Sequence, residues 1–231
     1  MSLSIKNLQY KFTIRLAVLS VFILTNVLIV GIALGLQYYF SKKMATESAF
    51  NYYDTTASQT ADYLQGIDTQ ATQSTRSLAQ IPSLVQNNEL GDVTQQIFAQ
   101  VLQSSSSFYS AIIGFENGDL YQVINLALSN EVRRNLNAAP SDRWLVVNIS
   151  EKQGQRIRKT AYYDAEFKLR VSHLETSEYD VRTRPWYSNA LNGDVHKTSP
   201  YLFKSLQSPG QTYSTVIPNT NNVVAIDVAL S

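Results

Sequence analysis

Residues 108–126 read FYSAIIGFENGDLYQVINL, and this stretch decides the fold class. Two β-rich runs flank the pair Asn117-Gly118, the strongest short-range sequence signal for a β-hairpin, because both central residues of the tight turn tolerate positive φ. Helical spacing precedes this stretch along the chain, and further strand-like runs follow it. Helices followed by an antiparallel meander predict an α+β domain.

Six further runs with strand character come after residue 140, separated by polar or turn-forming residues. They are RWLVVNI (143–149), RIRKTAYY (156–163), FKLRVSHLE (167–175), SPYLFKS (199–205), QTYSTVIP (211–218) and NNVVAIDVAL (221–230). No Gly/Ser-rich or Pro-rich linker interrupts residues 83–231. These residues are therefore predicted to form one domain.

The uncharged run between Arg15 and Lys42 predicts a transmembrane helix over residues 16–40. At a rise of about 1.5 Å per residue, it is long enough to cross a hydrocarbon layer of about 30 Å. A cleaved signal peptide would have a shorter apolar core followed by a small-residue cleavage site, and neither is seen. We expect an uncleaved anchor.

Basic residues around this run indicate its orientation, because positive charge concentrates on the cytoplasmic side. Three precede the run and two follow it, namely Lys6, Lys11 and Arg15, then Lys42 and Lys43. Residues 1–15 are therefore predicted to be cytoplasmic. The remainder is expected outside, in a single-pass protein of the bacterial inner membrane with a periplasmic or extracellular domain.

A long helix is predicted over residues 41–82, where apolar and small residues recur at heptad spacing. The two series are Phe50, Ala57, Leu64, Ala71 and Leu78, and Tyr53, Thr60, Ile67, Ser74 and Ile81. Pro82 disfavours continuation. The seam is half small or polar, which predicts a stalk that packs on its own domain or on a loose partner. A second helix is expected to begin near Asp92 as N-cap and to bury Val93, Ile97, Phe98, Val101 and Leu102.

Gly31 and Gly35 stand four residues apart in the apolar run, a spacing that lets two membrane helices approach closely. Asn26 can add a hydrogen bond across such an interface. A homodimer through the transmembrane and stalk helices is predicted on this basis. The same spacing also occurs by chance in apolar helices, which leaves a monomer open.

Composition excludes several classes of function. Cysteine is absent and the formal net charge is only +1, which argues against thiolate chemistry and against a nucleic-acid partner. The two histidines, His173 and His196, have no partners at ligand spacing, and no nucleotide-binding or hydrolase motif is present. We predict no metal, no cofactor and no catalytic residue, hence no enzyme.

Two stretches carry the candidate binding residues. In NNVVAIDVAL, alternation places Val223, Ala225, Asp227 and Ala229 on one face, so that a carboxylate lies among small neighbours with room for a ligand. In TRPWYSNAL (183–191), Arg184 can bind a carboxylate through two hydrogen bonds, and Trp186 and Tyr187 can form an apolar wall. Together they predict a pocket for a small molecule with an acid and an amine. The alternative is that Arg184 pairs with Asp227 and the aromatic residues fill the core.

The run YDVRTRPWYSNAL, the SPYL that follows it and the closing NNVVAIDVAL resemble the membrane-distal half of the double Cache family. These are PAS-like extracytoplasmic sensor domains of bacterial chemoreceptors, histidine kinases and diguanylate cyclases. The resemblance implies a PAS-like antiparallel sheet module over residues 83–231. It further implies ligand contacts from Arg184, Trp186, Tyr187, Tyr201 and Asp227.

Two departures from the family pattern limit the resemblance. The amino-acid-binding branch has a tyrosine ahead of the arginine, where this chain has Glu178 with Tyr179 beside it, and an aspartate where this chain has Phe203. A carboxylate, an amine, a modified amino acid or a nucleobase-like ligand therefore all remain open. A complete receptor would continue into a membrane-proximal module, a second membrane helix and an output domain, so a fragment is expected.

The predicted function is extracytoplasmic sensing of a small molecule by the input domain of a transmembrane receptor. Two alternatives remain open at this point. One is a membrane-anchored exported enzyme such as a hydrolase, which would need converging acid, base or nucleophile groups. The other is a scaffold protein whose pocket is filled by its own side chains.

Overall fold

The structure is a computed structural model that describes residues 3–86, 89–91, 93–203 and 206–230, with side chains from Ile14 onward. It contains the long helix α1 (Leu3–Ala79), the short helices α2 (Thr94–Gln103), α3 (Asn130–Asn135) and α4 (Pro185–Ser188), and two sheets. A long N-terminal helix followed by an antiparallel sheet with flanking helices confirms the predicted α+β class. The chain divides into two compact units, Met1–Tyr63 and Leu64–Ser231.

The first unit is helical, and its side chains from Ile14 to Tyr63 are exposed to solvent. Among the described residues, α1 is the one helix long and apolar enough to cross a membrane by length and composition. Large aliphatic side chains between Leu16 and Leu36 are exposed all around it. An apolar surface of this extent is expected to be covered by lipid or by another helix.

The second unit is built on an antiparallel sheet whose nine strands all lie in the described part of the chain. The strands are β3 (Phe108–Gly114), β4 (Leu120–Asn125), β5 (Trp144–Lys152), β6 (Gln155–Tyr163), β7 (Leu169–Thr176), β8 (His196–Lys197), β9 (Tyr201–Phe203), β10 (Ser208–Val216) and β11 (Val223–Ala229). Their order in the sheet is β7-β6-β5-β4-β3-β11-β10-β8, and β9 also pairs with β10. A separate pair, β1 (Val85–Gln86) and β2 (Glu89–Leu90), precedes α2.

The predicted hairpin is confirmed between β3 and β4. Gly118 has a φ of +92°, which a side chain would disfavour, and its N–H donates to the carbonyl of Phe115. The predicted strands after residue 140 are also present, although their ends shift by a few residues. Such shifts are expected, because hydrogen bonding to neighbouring strands sets the ends.

The sheet buries a different core on each face, because successive side chains point to opposite sides. On one face, Val224, Ile226 and Val228 pack with Phe98, Leu102 and the last turns of α1. On the other face, Val223, Ala225 and Ala229 pack with Trp186, Tyr187 and Phe203. The predicted alternation is therefore confirmed for residues 223–229, whereas Leu230 lies beyond the strand and is only partly buried.

The helices differ from the sequence expectations in two details. Helix α1 ends at Ala79, and only its C-terminal part from Ile67 joins the core, with Ala71, Thr75 and Leu78 buried. Helix α2 begins after Val93, which is exposed rather than buried, whereas Phe98 and Leu102 are buried and Ile97 and Val101 partly so. The predicted cap Asp92 lies outside the described residues.

Candidate ligand-binding site

Asp227 lies in the middle of the sheet, on the face that carries the smaller side chains. Strand pairing places Ser110 of β3 on one side of it and Thr212 of β10 on the other. Directly opposed residues on neighbouring strands bring their side chains together. The carboxylate is thus flanked by two hydroxyl groups that belong to distant parts of the chain.

Both oxygens of Asp227 accept a hydrogen bond from these hydroxyls. Ser110 Oγ donates to Oδ2 and Thr212 Oγ1 donates to Oδ1, each at 2.6 Å. The network extends to Gln122 Nε2, which donates to Ser110 Oγ at 2.8 Å, and to the Tyr201 hydroxyl, 2.6 Å from Thr212 Oγ1. The carboxylate is held in a fixed position as a result.

Burial dominates the electrostatics of Asp227, whose side chain is almost completely removed from water. Loss of hydration raises the pKa of the carboxyl to about 6, although the hydrogen bonds from Ser110 and Thr212 act in the opposite direction. The charged form is therefore less stable than that of an exposed aspartate, although it still predominates at neutral pH. A positively charged group beside it would stabilise the charged form.

The segment that carries Arg184, Trp186 and Tyr187 is anchored over the end of β3. Asp180 caps a 3-10 turn, Val181–Thr183, and Pro185 then opens α4, where its lack of an N–H has no cost. Trp186 and Tyr187 are both buried. A Cβ atom added to Gly114 would lie 2.8 Å from Trp186 Cη2 and 2.9 Å from Tyr187 Cδ2, so both rings need a glycine beneath them.

Two hydrogen bonds fix the aromatic pair to the sheet and to a neighbouring loop. Ser214 Oγ donates to the carbonyl of Trp186 at 2.6 Å, and the Tyr187 hydroxyl donates to the carbonyl of Asn221 at 2.6 Å. The two rings meet edge to face, with centroids 5.9 Å apart. The position of α4 on the sheet is therefore set by packing and by polar contacts together.

Arg184 is exposed, and its guanidinium carbon lies 4.4 Å from the centroid of the Tyr179 ring. This distance is typical of a cation–π contact. Burial raises the pKa of the Tyr179 hydroxyl, while a hydrogen bond with Trp186 and the charge of Arg184 lower it. Among the described ion pairs, none joins Arg184 to Asp227.

A cavity of about 910 Å³ opens between this segment and the sheet, and Arg184, Trp186, Tyr201 and Asp227 all line it. Its size lies within the usual range for small-molecule sites, about 300–1,000 Å³. Further aromatic walls come from Tyr109, Tyr179 and Phe203, and further polar groups from Gln122, Arg158 and His196. The structure thus brings four of the five predicted site residues to one cavity. Tyr187 is outside this lining, and its contact with a ligand stays a prediction.

Three residues that were not predicted as site residues complete the site. Ser110 and Thr212 hold the carboxylate, and Tyr179, which was noted above only as the neighbour of Glu178, contacts the guanidinium. Their positions depend on strand register and on the path of the loop after β7, neither of which spacing along the chain reveals. Among the residues that the structure describes, no group of three or more acidic or histidine side chains could hold a metal ion.

Comparison with known proteins gives a weak structural likeness. No family model and no curated protein matches the chain. This chain is similar to two solved structures of domains from the Campylobacter jejuni chemoreceptor Tlp3. Its sensory domain gives 18% identity and a TM-score of 0.45 over 76% of this chain and 57% of that one. Its ligand-binding domain in complex with L-valine gives 19% identity and a TM-score of 0.44 over 76% and 56%.

The chain therefore spans somewhat more than half the length of these structures.

Proposed function

We propose that the second unit binds a small molecule carrying both a carboxylate and a cationic amine, and that it serves as a sensor domain. One observation carries the proposal. A guanidinium and a buried carboxylate line the same cavity without pairing with each other. Because Arg184 and Asp227 do not pair with each other, each is available to bind a ligand group of opposite charge.

The chemistry of the two groups assigns the ends of the ligand. Asp227 has both oxygens positioned by hydroxyl donors, and a ligand ammonium group beside this buried carboxylate would stabilise its charged form. Arg184 presents a planar set of donors that fits a carboxylate through two parallel hydrogen bonds. Trp186 and Tyr201 supply walls between them. No catalytic role is assigned to any of these residues.

Strand β10 provides a physical route from the cavity to α1. Thr212 faces the cavity and bonds Asp227, whereas the next residue, Tyr213, points to the opposite face. There the Tyr213 hydroxyl and Lys197 Nζ both donate to Asp68 of α1, at 2.8 Å and 2.5 Å. A ligand that favours one position of β10 therefore favours one position of α1.

In this proposal α1 anchors the protein in a bacterial inner membrane, with the N-terminus cytoplasmic and the sheet domain periplasmic or extracellular. A homodimer through the transmembrane and stalk segments would let a small shift of α1 pass to a partner helix. The fold resembles an input domain of the double Cache type. We propose that it is the input domain of a receptor, which is a chemoreceptor, a histidine kinase or a diguanylate cyclase.

A ligand screen on the full chain in detergent tests the proposal. Thermal shift against amino acids, amines and carboxylates is measured for the wild type, Arg184→Ala and Asp227→Ala. Arg134→Ala, an exposed residue of α3 outside the cavity, is the control. We expect a ligand that stabilises the wild type and the control but not the two cavity variants. Full stabilisation of both cavity variants would remove the assignment.

A further inference from the structure

The cavity contains a second guanidinium that the proposed function does not use. Arg158 of β6 lines the cavity together with Arg184 and Asp227. It is paired across the strands with Ile149, which belongs to the core on the cavity side of the sheet. Opposed residues share a face, so Arg158 projects on that side as well.

The hydrogen bonding of Arg158 is incomplete within the described part of the chain. Its Nε is buried and has no acceptor there. Its Nη1 lies 3.6 Å from Glu175 Oε1, and the Glu175 side chain is 63% exposed. Such an exposed ion pair is weak, and a buried donor without an acceptor is unusual in a protein interior.

Arg156 links β6 to the loop that carries Tyr179. It stands two residues from Arg158, on the same face of β6, and its Nη1 donates to the carbonyl of Tyr179 at 3.4 Å. The ring of Tyr179 contacts the guanidinium of Arg184. Arg158, Tyr179 and Arg184 all line the same cavity.

The charges of the cavity are unbalanced. Of the described charged residues that line it, Lys197 is already bonded to Asp68. This leaves two guanidiniums, Arg158 and Arg184, facing one carboxylate. A ligand with two acidic groups and one ammonium group has the complementary set of charges.

We infer that Arg158 is a specificity residue, and that the cavity selects amino dicarboxylic acids over neutral amino acids. This inference rests on the proposed function. In it, the ammonium group binds Asp227, one carboxylate binds Arg184 and the second carboxylate binds the accessible Nη end of the Arg158 guanidinium. Glu175 competes with that second carboxylate for Arg158.

Isothermal titration calorimetry on the full chain in detergent tests the inference with acid and amide pairs. The probes are L-aspartate, L-glutamate and L-2-aminoadipate, each compared with its side-chain amide. We expect at least one acid to bind the wild type about tenfold or more tightly than its amide. Arg158→Gln should bring this ratio close to one and leave the affinity for the amide unchanged.

Two further variants separate a binding role from a structural one. Lys159→Gln removes a neighbouring, exposed charge of β6 and should keep the wild-type ratio. Glu175→Gln removes the competing carboxylate and should tighten binding of the acid by about two- to threefold. A general loosening of the sheet could not produce effects of opposite sign at Arg158 and Glu175.

The outcomes distinguish this inference from the proposed function. If amides bind as well as acids, or if Arg158→Gln weakens both alike, the specificity role is wrong while Arg184 and Asp227 can still bind an amino acid. If none of the probes binds, the inference is also wrong. The proposed function fails separately, when a ligand from the wider screen does not depend on Arg184 or Asp227.

Discussion

Asp227 shows how much a single residue of this fold can be predicted. Alternation in NNVVAIDVAL places it on the face with the small side chains, and the structure confirms this placement. Its hydroxyl partners could not be predicted. Ser110 and Thr212 are 117 and 15 residues away along the chain, and only the strand register brings them to the carboxylate.

The raised pKa of Asp227 predicts an unusual dependence of stability on pH. Because the folded-state pKa of about 6 exceeds the ordinary value of 3.8, the native state binds more protons than the unfolded state between these values. Stability therefore falls as pH rises through this window. For the protein without ligand, we expect the free energy of unfolding to increase by about 1 kcal/mol between about pH 7 and pH 5.

Urea unfolding, followed by tryptophan fluorescence, measures this effect, since both tryptophans, Trp144 and Trp186, belong to the sheet domain. The matched control is Asp227→Asn, which keeps the shape of the side chain and removes its titration. The difference in slope between wild type and variant isolates Asp227 from the two histidines. Equal slopes for the two proteins would show that Asp227 does not carry the effect.

At the scale of elements, the strands were easier to predict than the helix ends. The β3–β4 hairpin follows from Asn117-Gly118, the strongest short-range signal for a hairpin, although only Gly118 of the pair adopts a positive φ. The predicted start of α2 was less accurate, since Val93 is exposed and the buried side of the helix is set by Phe98 and Leu102. Tertiary packing, which the spacing of residues does not contain, decides which turns of a helix are covered.

Gly114 provides a test of how α4 is positioned. Gly114→Ala would place a Cβ atom within 3 Å of both Trp186, which lines the cavity, and Tyr187, so a ring or the strand has to shift. We expect a loss of about 1–3 kcal/mol in the free energy of unfolding, together with weaker ligand binding. Urea unfolding and the thermal shift with ligand measure the two effects.

Gly66→Ala is the matched control, because an added Cβ there meets no atom within 4 Å. Alanine should stabilise α1 slightly at that position. If Gly114→Ala proved as stable as this control and bound ligand equally well, close packing of Trp186 on the strand would not position the site.

At the scale of the whole molecule, the long uncharged run predicted a helical anchor, and the order of helix and strand patterns predicted an α+β domain. The structure contains a helix of suitable length and an antiparallel sheet. The limits of the cavity could not be predicted in the same way. They depend on Tyr179 and Arg158, which come from a loop and from a strand near the edge of the sheet. Both side chains reach the cavity only once the sheet has formed.

Membrane anchoring by α1 is testable on the full chain. Arginine at Leu24 and Leu28, one turn apart in the apolar run, should cost about 2.5–3.5 kcal/mol for each residue in the middle of a bilayer. We expect the wild type to remain with membranes after alkaline carbonate extraction and the double arginine variant to be released. The double alanine variant at the same positions should behave as wild type. Release of the wild type itself would contradict the anchor.

The central claim is that Arg184 and Asp227 hold opposite ends of one ligand, and a cycle of protein variants and ligand analogues tests it most directly. The affinities of the best ligand, its decarboxylated amine and its deaminated acid are measured by calorimetry for wild type, Arg184→Ala and Asp227→Ala. Removing the carboxylate from the ligand should weaken binding to the wild type at least about tenfold and should not weaken binding to Arg184→Ala any further. Likewise, removing the amine should weaken binding to the wild type by a similar factor and should not weaken binding to Asp227→Ala any further. If each loss has the same size in the variants as in the wild type, these two residues do not bind those groups.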